Sequence, residues 1–311
     1  MSVNLRMDKK VGFVVCTHNR GKEVSELFES FKQLIELNYT LDIVDNSSDK
    51  TSFKLLERIV EKTNSELCKL HKVSPQGLSF ARNFALKNIE KDYLWFLDDD
   101  VLIPNNFIET LKIIEKKNLP FAFGGKVIPK YPKTPPDWLI KSRMCQNMIS
   151  CVDYGDKERN LTKTEFLVGA NFCINRRDAL SCGGFDEGLG RKAGNTLLSN
   201  EDTILLEKMS YDKGVQPYYF PEAEILHLIP ENRMEFGWFQ KRMFWQAISD
   251  IIIGREYYPT LSNLSKYFEH LPYQERNHRG ILIQQDENLV EAQLGSIYTM
   301  TYLMHNADAA S

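Results

Sequence analysis

Tyr93-Leu94-Trp95-Phe96-Leu97-Asp98-Asp99-Asp100 decides the fold class. Five apolar residues in a row read as a buried strand, and three carboxylates close it. A strand buried on both faces, with charge gathered at its C-terminal tip, belongs to a parallel sheet covered by helices. The flanking sequence repeats the theme. Gly12-Phe13-Val14-Val15-Cys16 reads as a first strand, Leu41-Asp42-Ile43-Val44 as a second and Leu67 to Val73 as a third. Between them, Glu23 to Leu37 places Val24, Leu27, Phe28, Phe31, Leu34 and Ile35 at helical spacing. Phe53 to Val60 and the residues after it, Leu78 to Ile89, and Phe107 to Ile114 read as further helices, and Phe121-Ala122-Phe123 opens a fifth strand. This alternation predicts an α/β fold with a mostly parallel central sheet flanked by helices.

Polar clusters fall where such a sheet binds ligands, beyond the C-terminal ends of its strands. Strand one ends in Thr17-His18-Asn19-Arg20, strand two in Asp45-Asn46-Ser47-Ser48 and strand four in Asp98-Asp99-Asp100. Three adjacent carboxylates repel one another unless solvated or neutralised, and hard oxygen ligands suit Mg²⁺ or Mn²⁺. The ordinary alternative is a solvated acidic turn ahead of the helix that Pro104 introduces.

Four further segments carry chemistry-bearing residues. Asn200-Glu201-Asp202 precedes Ile204-Leu205-Leu206 and reads either as a helix start with acids favouring the dipole or as a general base held at that start. The glycines of Gly183-Gly184-Phe185-Asp186-Glu187-Gly188, with Gly190 and Gly194, suit a long surface loop or a lid. His227, after the strand-like Ala223-Glu224-Ile225-Leu226, would ligate a metal only if the fold turns it toward the Asp98 to Asp100 edge. Arg82, in Gly77-Leu78-Ser79-Phe80-Ala81-Arg82-Asn83, has the guanidinium that matches phosphate oxygens. No GxGxxG or P-loop spacing occurs, which sets aside dinucleotide and P-loop binding.

Composition narrows the class. The 311 residues carry 39 Lys plus Arg against 42 Asp plus Glu, a formal charge of −3, which argues against nucleic acid as a partner. The six cysteines form no CxxC pair and read as buried free thiols of a reducing cytoplasm. Arg6, Lys9 and Lys10 precede an apolar run too short for a secretory leader, and no run approaches a membrane span. Pro129, Pro132, Pro135 and Pro136 make Pro129 to Glu165 irregular, whereas the chain from about Arg233 is helical. There Phe239, Met243, Ala247 and Ile251 form one stripe, and Leu289, Gln293, Ile297, Met300 and Met304 a second. Trp238, Phe239, Phe244 and Trp245, with Arg233, Lys241 and Arg242, suit either packing on the rest of the protein or peripheral contact with the inner face of a membrane.

Taken in order, Val14-Val15-Cys16-Thr17-His18-Asn19-Arg20, Val44-Asp45-Asn46-Ser47-Ser48, Gly77 to Asn83, Phe96-Leu97-Asp98-Asp99-Asp100, Val168-Gly169-Ala170-Asn171, Gly183-Gly184-Phe185-Asp186 and Asn200-Glu201-Asp202-Thr203 resemble family 2 glycosyltransferases, inverting enzymes of GT-A fold. The resemblance spans roughly residues 10–230. It implies a catalytic, nucleotide-sugar-binding domain over 1–230 and a helical C-terminal region over 231–311. It implies that Thr17, Arg20 and Asp45 hold the nucleoside, that Asp98 and Asp100 form the DxD motif with Asp99 as an extra acid, and that Asp98, Asp100 and His227 face Mn²⁺ or Mg²⁺. Asp98, Asp99, Arg82 and Asn171 fall on the donor-sugar side, and Asp202 is the base, with Glu201 the alternative. Many relatives have Gly where Asn200 stands. The implied partners are a nucleotide diphosphate sugar, a UDP-sugar first among them, and a carbohydrate or lipid-linked acceptor, as in bacterial-type polysaccharide or glycoconjugate synthesis. A non-catalytic sugar-nucleotide binding module and a nucleotidyltransferase are the competing readings. The second is disfavoured because Thr17 to Lys22 contains one glycine only.

Overall fold

The computed structural model describes residues 7–63, 66–192, 196–257 and 287–307. The chain divides into two compact units. The first comprises Met1–Lys130, Ser150–Gly194 and Asn200–Leu228; the second comprises Tyr131–Ile149, Asn195–Ser199 and Ile229–Ser311.

The first unit holds the strands β1 (Val11–Thr17), β2 (Thr40–Asp45), β3 (Cys68–Lys72), β4 (Tyr93–Leu97), β5 (Val101–Leu102), β6 (Ala122–Gly124), β7 (Val127–Lys130), β8 (Arg159–Asn160), β9 (Asn171–Asn175), β10 (Tyr218–Tyr219) and β11 (Ile225–Leu228). Eight of them form one sheet in the order β3-β2-β1-β4-β9-β6-β10-β8, and the remaining three a small sheet, β5-β11-β7. β3, β2, β1 and β4 are parallel neighbours, joined by the helices Gly21–Ile35, Lys50–Thr63 and Leu78–Asn88. β9 then enters antiparallel to both β4 and β6. The sequence places Phe121 to Phe123 as the fifth strand of a parallel run. It does run parallel to β4, but one strand removed, because the later β9 occupies the intervening position. The sheet is thus mostly parallel, as its buried apolar strands require.

Packing explains why β1 and β4 are so apolar. Every residue of β1 is buried, and Trp95 of β4 stacks on Phe13 at 5.2 Å, with Phe31 of the helix Gly21–Ile35 edge-on to Phe13 at 5.1 Å. Each such side chain contributes about 1.5–3 kcal/mol on leaving water. That helix buries Val24, Leu27, Phe28, Phe31 and Leu34, the stripe its spacing predicts.

The second unit is helical. It contains Asp137–Lys141, Arg143–Met148, a 3₁₀ turn at Glu231–Met234, Phe236–Ile252 and Glu287–Ala307. Tyr131–Ile149 groups with the helices after Ile229 rather than with the strands that precede it, so the boundary is not a single cut near residue 230. Trp138 is the reason within this unit: it packs edge-on against Phe239 at 5.2 Å, and Ser142 Oγ donates to Glu291 at 2.6 Å. The prolines that forbid one long helix leave two short ones. Phe239, Met243 and Ala247 form a buried stripe, whereas Phe244 is exposed. Among the described residues no helix is long and apolar enough to cross a membrane. All six cysteines are free.

Candidate functional site

The acidic triplet is the link between two sheets. It leaves β4 of the large sheet and leads into β5 of the small one. Because β5 pairs with β11, Val101 lies opposite His227, and Leu228 N donates to Asp100 O at 2.8 Å. That pairing turns the imidazole onto the triplet. Atoms of Asp98, Asp100 and His227 lie within 4.8 Å of one another, with His227 Nε2 3.2 Å from Asp100 Oδ1. Two carboxylates and an imidazole converging from two strands form a donor set for a hard divalent cation such as Mn²⁺ or Mg²⁺, and Asp98 leaves one side of it partly open.

Alternation along the chain sends Asp99 the other way. Its Oδ2 accepts from Thr17 Oγ1 at 2.7 Å and its Oδ1 from Arg20 Nη1 at 2.6 Å. Arg20 also donates through Nη2 to Asp100 Oδ2 at 3.0 Å. Burial pushes the Asp99 carboxyl above its ordinary range, Arg20 pulls it back, and Asp100 adds to the rise. Asp100 therefore offers one oxygen to Arg20 and the other to the side where His227 stands. Behind them, burial holds the Cys16 thiol up to about 12, so it stays protonated.

Thr17, Asp45 and Lys72 end β1, β2 and β3 and stand in register. Asp45 is fully buried. Its Oδ2 accepts from Lys72 Nζ at 2.7 Å and its Oδ1 from Ser47 N at 3.0 Å. Lys72 had no role in the sequence reading, although parallel register puts the last residue of strand three beside the last residue of strand two.

A second cluster gathers at the start of the helix Glu201–Lys213. Asn200 precedes it with φ +78, a left-handed conformation. Glycine adopts this freely and asparagine tolerates it, so Asn200 can hold the turn that starts the helix. Glu201 is buried and accepts from Arg82 Nη1 at 2.9 Å, and Arg82 Nη2 lies 3.7 Å from Asp98 Oδ1. Burial raises the Glu201 carboxyl, the Asp202 charge raises it further, and Arg82 opposes both. Asp202 is only half-buried, with its Oδ1 accepting from Thr203 N at 2.8 Å. Of the two acids, Asp202 is the one solvent reaches.

Two expectations meet a different geometry. Asn171, expected beside the sugar, is enclosed: its Oδ1 accepts from Trp95 Nε1 at 2.9 Å, and its Nδ2 donates to Ala223 O at 2.6 Å and Lys126 O at 3.2 Å. It braces β9 against the core, with nothing left to offer a ligand. Up to Arg191, the glycine-rich loop is tethered rather than lid-like. Asn83 bonds the backbone of Phe185 in both directions, Ser79 Oγ donates to Leu189 O at 2.9 Å, and Leu78 N to Arg191 O at 2.9 Å. Gly194 lies outside the described residues.

Residues 13–184 match glycosyl transferase family 2. The chain is 25% identical to a glucosyl-dolichyl phosphate glucuronosyltransferase of Haloferax volcanii, over 84% of this chain and 83% of that one. It is 27% identical to the succinoglycan biosynthesis protein ExoM of Rhizobium meliloti, over 74% and 70%. Among solved structures, the mannosyltransferase PcManGT of Pyrobaculum calidifontis, in complex with GDP-Man and Mn²⁺, superposes with a TM-score of 0.56 at 16% identity, over 97% of this chain and 75% of that one. S. aureus TarS 1–349, in complex with UDP-GlcNAc, superposes with a TM-score of 0.50 at 18% identity, over 78% and 66%. These likenesses identify the fold as GT-A.

Proposed function

Because the chain belongs to glycosyl transferase family 2 and is a glycosyltransferase, we propose that it moves a sugar from a nucleotide diphosphate donor to an acceptor hydroxyl by one inverting displacement. The observation that carries this reading is the division of labour among acids: Asp98, Asp100 and His227 converge within 4.8 Å at one strand tip, while Asp202 stands apart at a helix start. A hydrolase working through two matched carboxylates would not need the first group.

The first group fits a divalent cation, Mn²⁺ or Mg²⁺, with Asp98, Asp100 and His227 as its protein ligands. When bound, such an ion supplies Lewis-acid neutralisation of the departing diphosphate. The protein's own residues do the rest. Thr17, Arg20, Asp45 and Asp99 shape and charge the nucleoside side of the cleft. Arg20 holds Asp100 so that a single oxygen faces His227. Asp202 takes the proton of the acceptor hydroxyl as it attacks the anomeric carbon, and its partial exposure gives an acceptor access to it.

The donor in this reading is a UDP-sugar, in line with the nucleotide seen in TarS, and the product a bacterial-type polysaccharide or glycoconjugate. The acceptor is a carbohydrate or lipid-linked sugar, a choice the dolichyl phosphate in the Haloferax relative's name supports. The same reading has the enzyme work in the cytoplasm, with peripheral contact at the inner face of a membrane. Thermal-shift screening of UDP-, GDP-, dTDP- and CMP-sugars with and without Mn²⁺, followed by donor hydrolysis, tests the proposal. Manganese-dependent stabilisation with turnover supports it. Binding without turnover across the panel supports a binding module instead, and pyrophosphate release from a nucleoside triphosphate supports a nucleotidyltransferase.

A further inference from the structure

Arg82 is 2% exposed, and its guanidinium faces two acids. Nη1 donates to Glu201, and Nη2 lies 3.7 Å from Asp98. Asp202 also adds to the field that favours its charge. Three rings fix its plane, Phe96, Phe172 and Phe185, at 5.9, 5.6 and 5.4 Å. The backbone has been cleared around it. A Cβ on Gly169 would stand 2.2 Å from Arg82 Nη2 and 3.2 Å from Asp202 Oδ2, and one on Gly190 would stand 3.3 Å from Glu201 Cδ and 2.8 Å from Ser79 Oγ.

Arg82 has neighbours in the same work. Ser79, Arg82 and Asn83 occupy one face of the helix Leu78–Asn88, at the spacing of three and four residues that aligns side chains. Ser79 holds Leu189, Asn83 holds Phe185 and Glu187, and Arg82 holds Glu201. A single helical face thus grips the chain at several points between Phe185 and Glu201. The grip at Arg82 differs in kind, because a planar fork reaches two acids from different elements at once, which an ammonium on a flexible stem does not reproduce.

We propose that Arg82 is a positioning residue: acting through Glu201 and Asp98, it sets the start of the helix that carries Asp202 against the strand tip that carries the donor-side acids, and it makes no contact with donor phosphate. Gly169 is glycine to make room for it. The proposal rests on the assignment of Asp202 as the base.

The test uses the full chain with Arg82→Lys, Glu201→Gln, the double variant and, as a second route that leaves every charge in place, Gly169→Ala. Calorimetry with UDP and Mn²⁺ reads donor-side binding, hydrolysis of the best donor of the panel reads turnover, and amide exchange of Thr203–Leu206 in the resting protein reads the helix start. For Arg82→Lys and Gly169→Ala the expected result is UDP affinity within about threefold of wild type, turnover lower by roughly 100-fold and exchange faster by about tenfold. Glu201→Gln should add little in the Arg82→Lys background, because the two act as one unit. Weakened UDP binding with turnover retained would make Arg82 a phosphate contact and overturn the proposal. So would additive losses, or unchanged exchange in whichever variants fold. Faster exchange in the variants, with no turnover even in wild type, would leave the positioning role standing and remove the assigned reaction.

Discussion

The two acidic regions of this enzyme solve the same electrostatic problem in opposite ways. At the tips of β1 and β4, Asp98, Asp99 and Asp100 outnumber the cations beside them among the described residues: Arg20, whose side chain is 30% exposed, touches Asp99 and Asp100, Arg82 lies 3.7 Å from Asp98, and Asp98 is 34% exposed. At the helix start, Arg82 is enclosed by aromatic rings and tied to Glu201, 3% and 7% exposed. The first region keeps an excess of negative charge near water and is ready for a mobile cation. The second carries its own counter-charge in Arg82. The proposed displacement would use both: a leaving group to be neutralised when it comes, and a base held in place.

The sharpest way to break this contrast is Asp202→Asn, which should lower transfer by roughly 10³-fold while leaving Mn²⁺-dependent UDP binding within about threefold, read by initial rates and calorimetry. If both fall together, the two regions are not separate in function. Asp100→Asn is the mirror experiment. It should weaken UDP binding in the presence of Mn²⁺ by at least about tenfold, and much less without metal, since it removes a candidate ligand and a partner of Arg20. Thr17→Val sharpens the donor side further: losing the hydroxyl that steadies Asp99 should cost about threefold to tenfold in the same measurement and leave the turnover of bound donor nearly unchanged. Asn171→Leu should leave nucleotide affinity alone yet lower stability by about 2 kcal/mol in urea unfolding, because Trp95 Nε1 and the Ala223 carbonyl lose the Asn171 amide, while the Lys126 carbonyl keeps Ile225 N. Loss of donor affinity instead would return Asn171 to the sugar pocket.

The contrast also marks what the sequence can and cannot say. Long apolar strands that end in polar residues declare themselves, so the tips of β1, β2 and β4 were readable, and with them Thr17, Asp45 and the acidic triplet. Parallel register could have extended that legibility to Lys72, which lies inside the third strand as read but received no role there. The small sheet is another matter. Ala223 to Leu226 reads as strand-like, but the pairing of Val101 with His227 joins strands of two and four residues far apart in the chain, and nothing in the sequence announces it. The insertion of β9 between β4 and β6 is likewise a tertiary choice, and it decides that Asn171 faces the core. Arg82 was legible as a residue of interest but not as a buried one. Nothing in Ala81-Arg82-Asn83 announces that three phenylalanines from different elements will close over it.

Asn200 gives the geometry a compass bearing. Successive residues of an α-helix point about 100° apart around its axis. The left-handed turn at Asn200 fixes which residue comes first, with Ile204 N already bonded back to Asn200 O at 2.9 Å. A β-branched residue there, which resists that conformation, would start the winding one place later. Asp202, two residues on, would then lose the fixed start from which its direction is set.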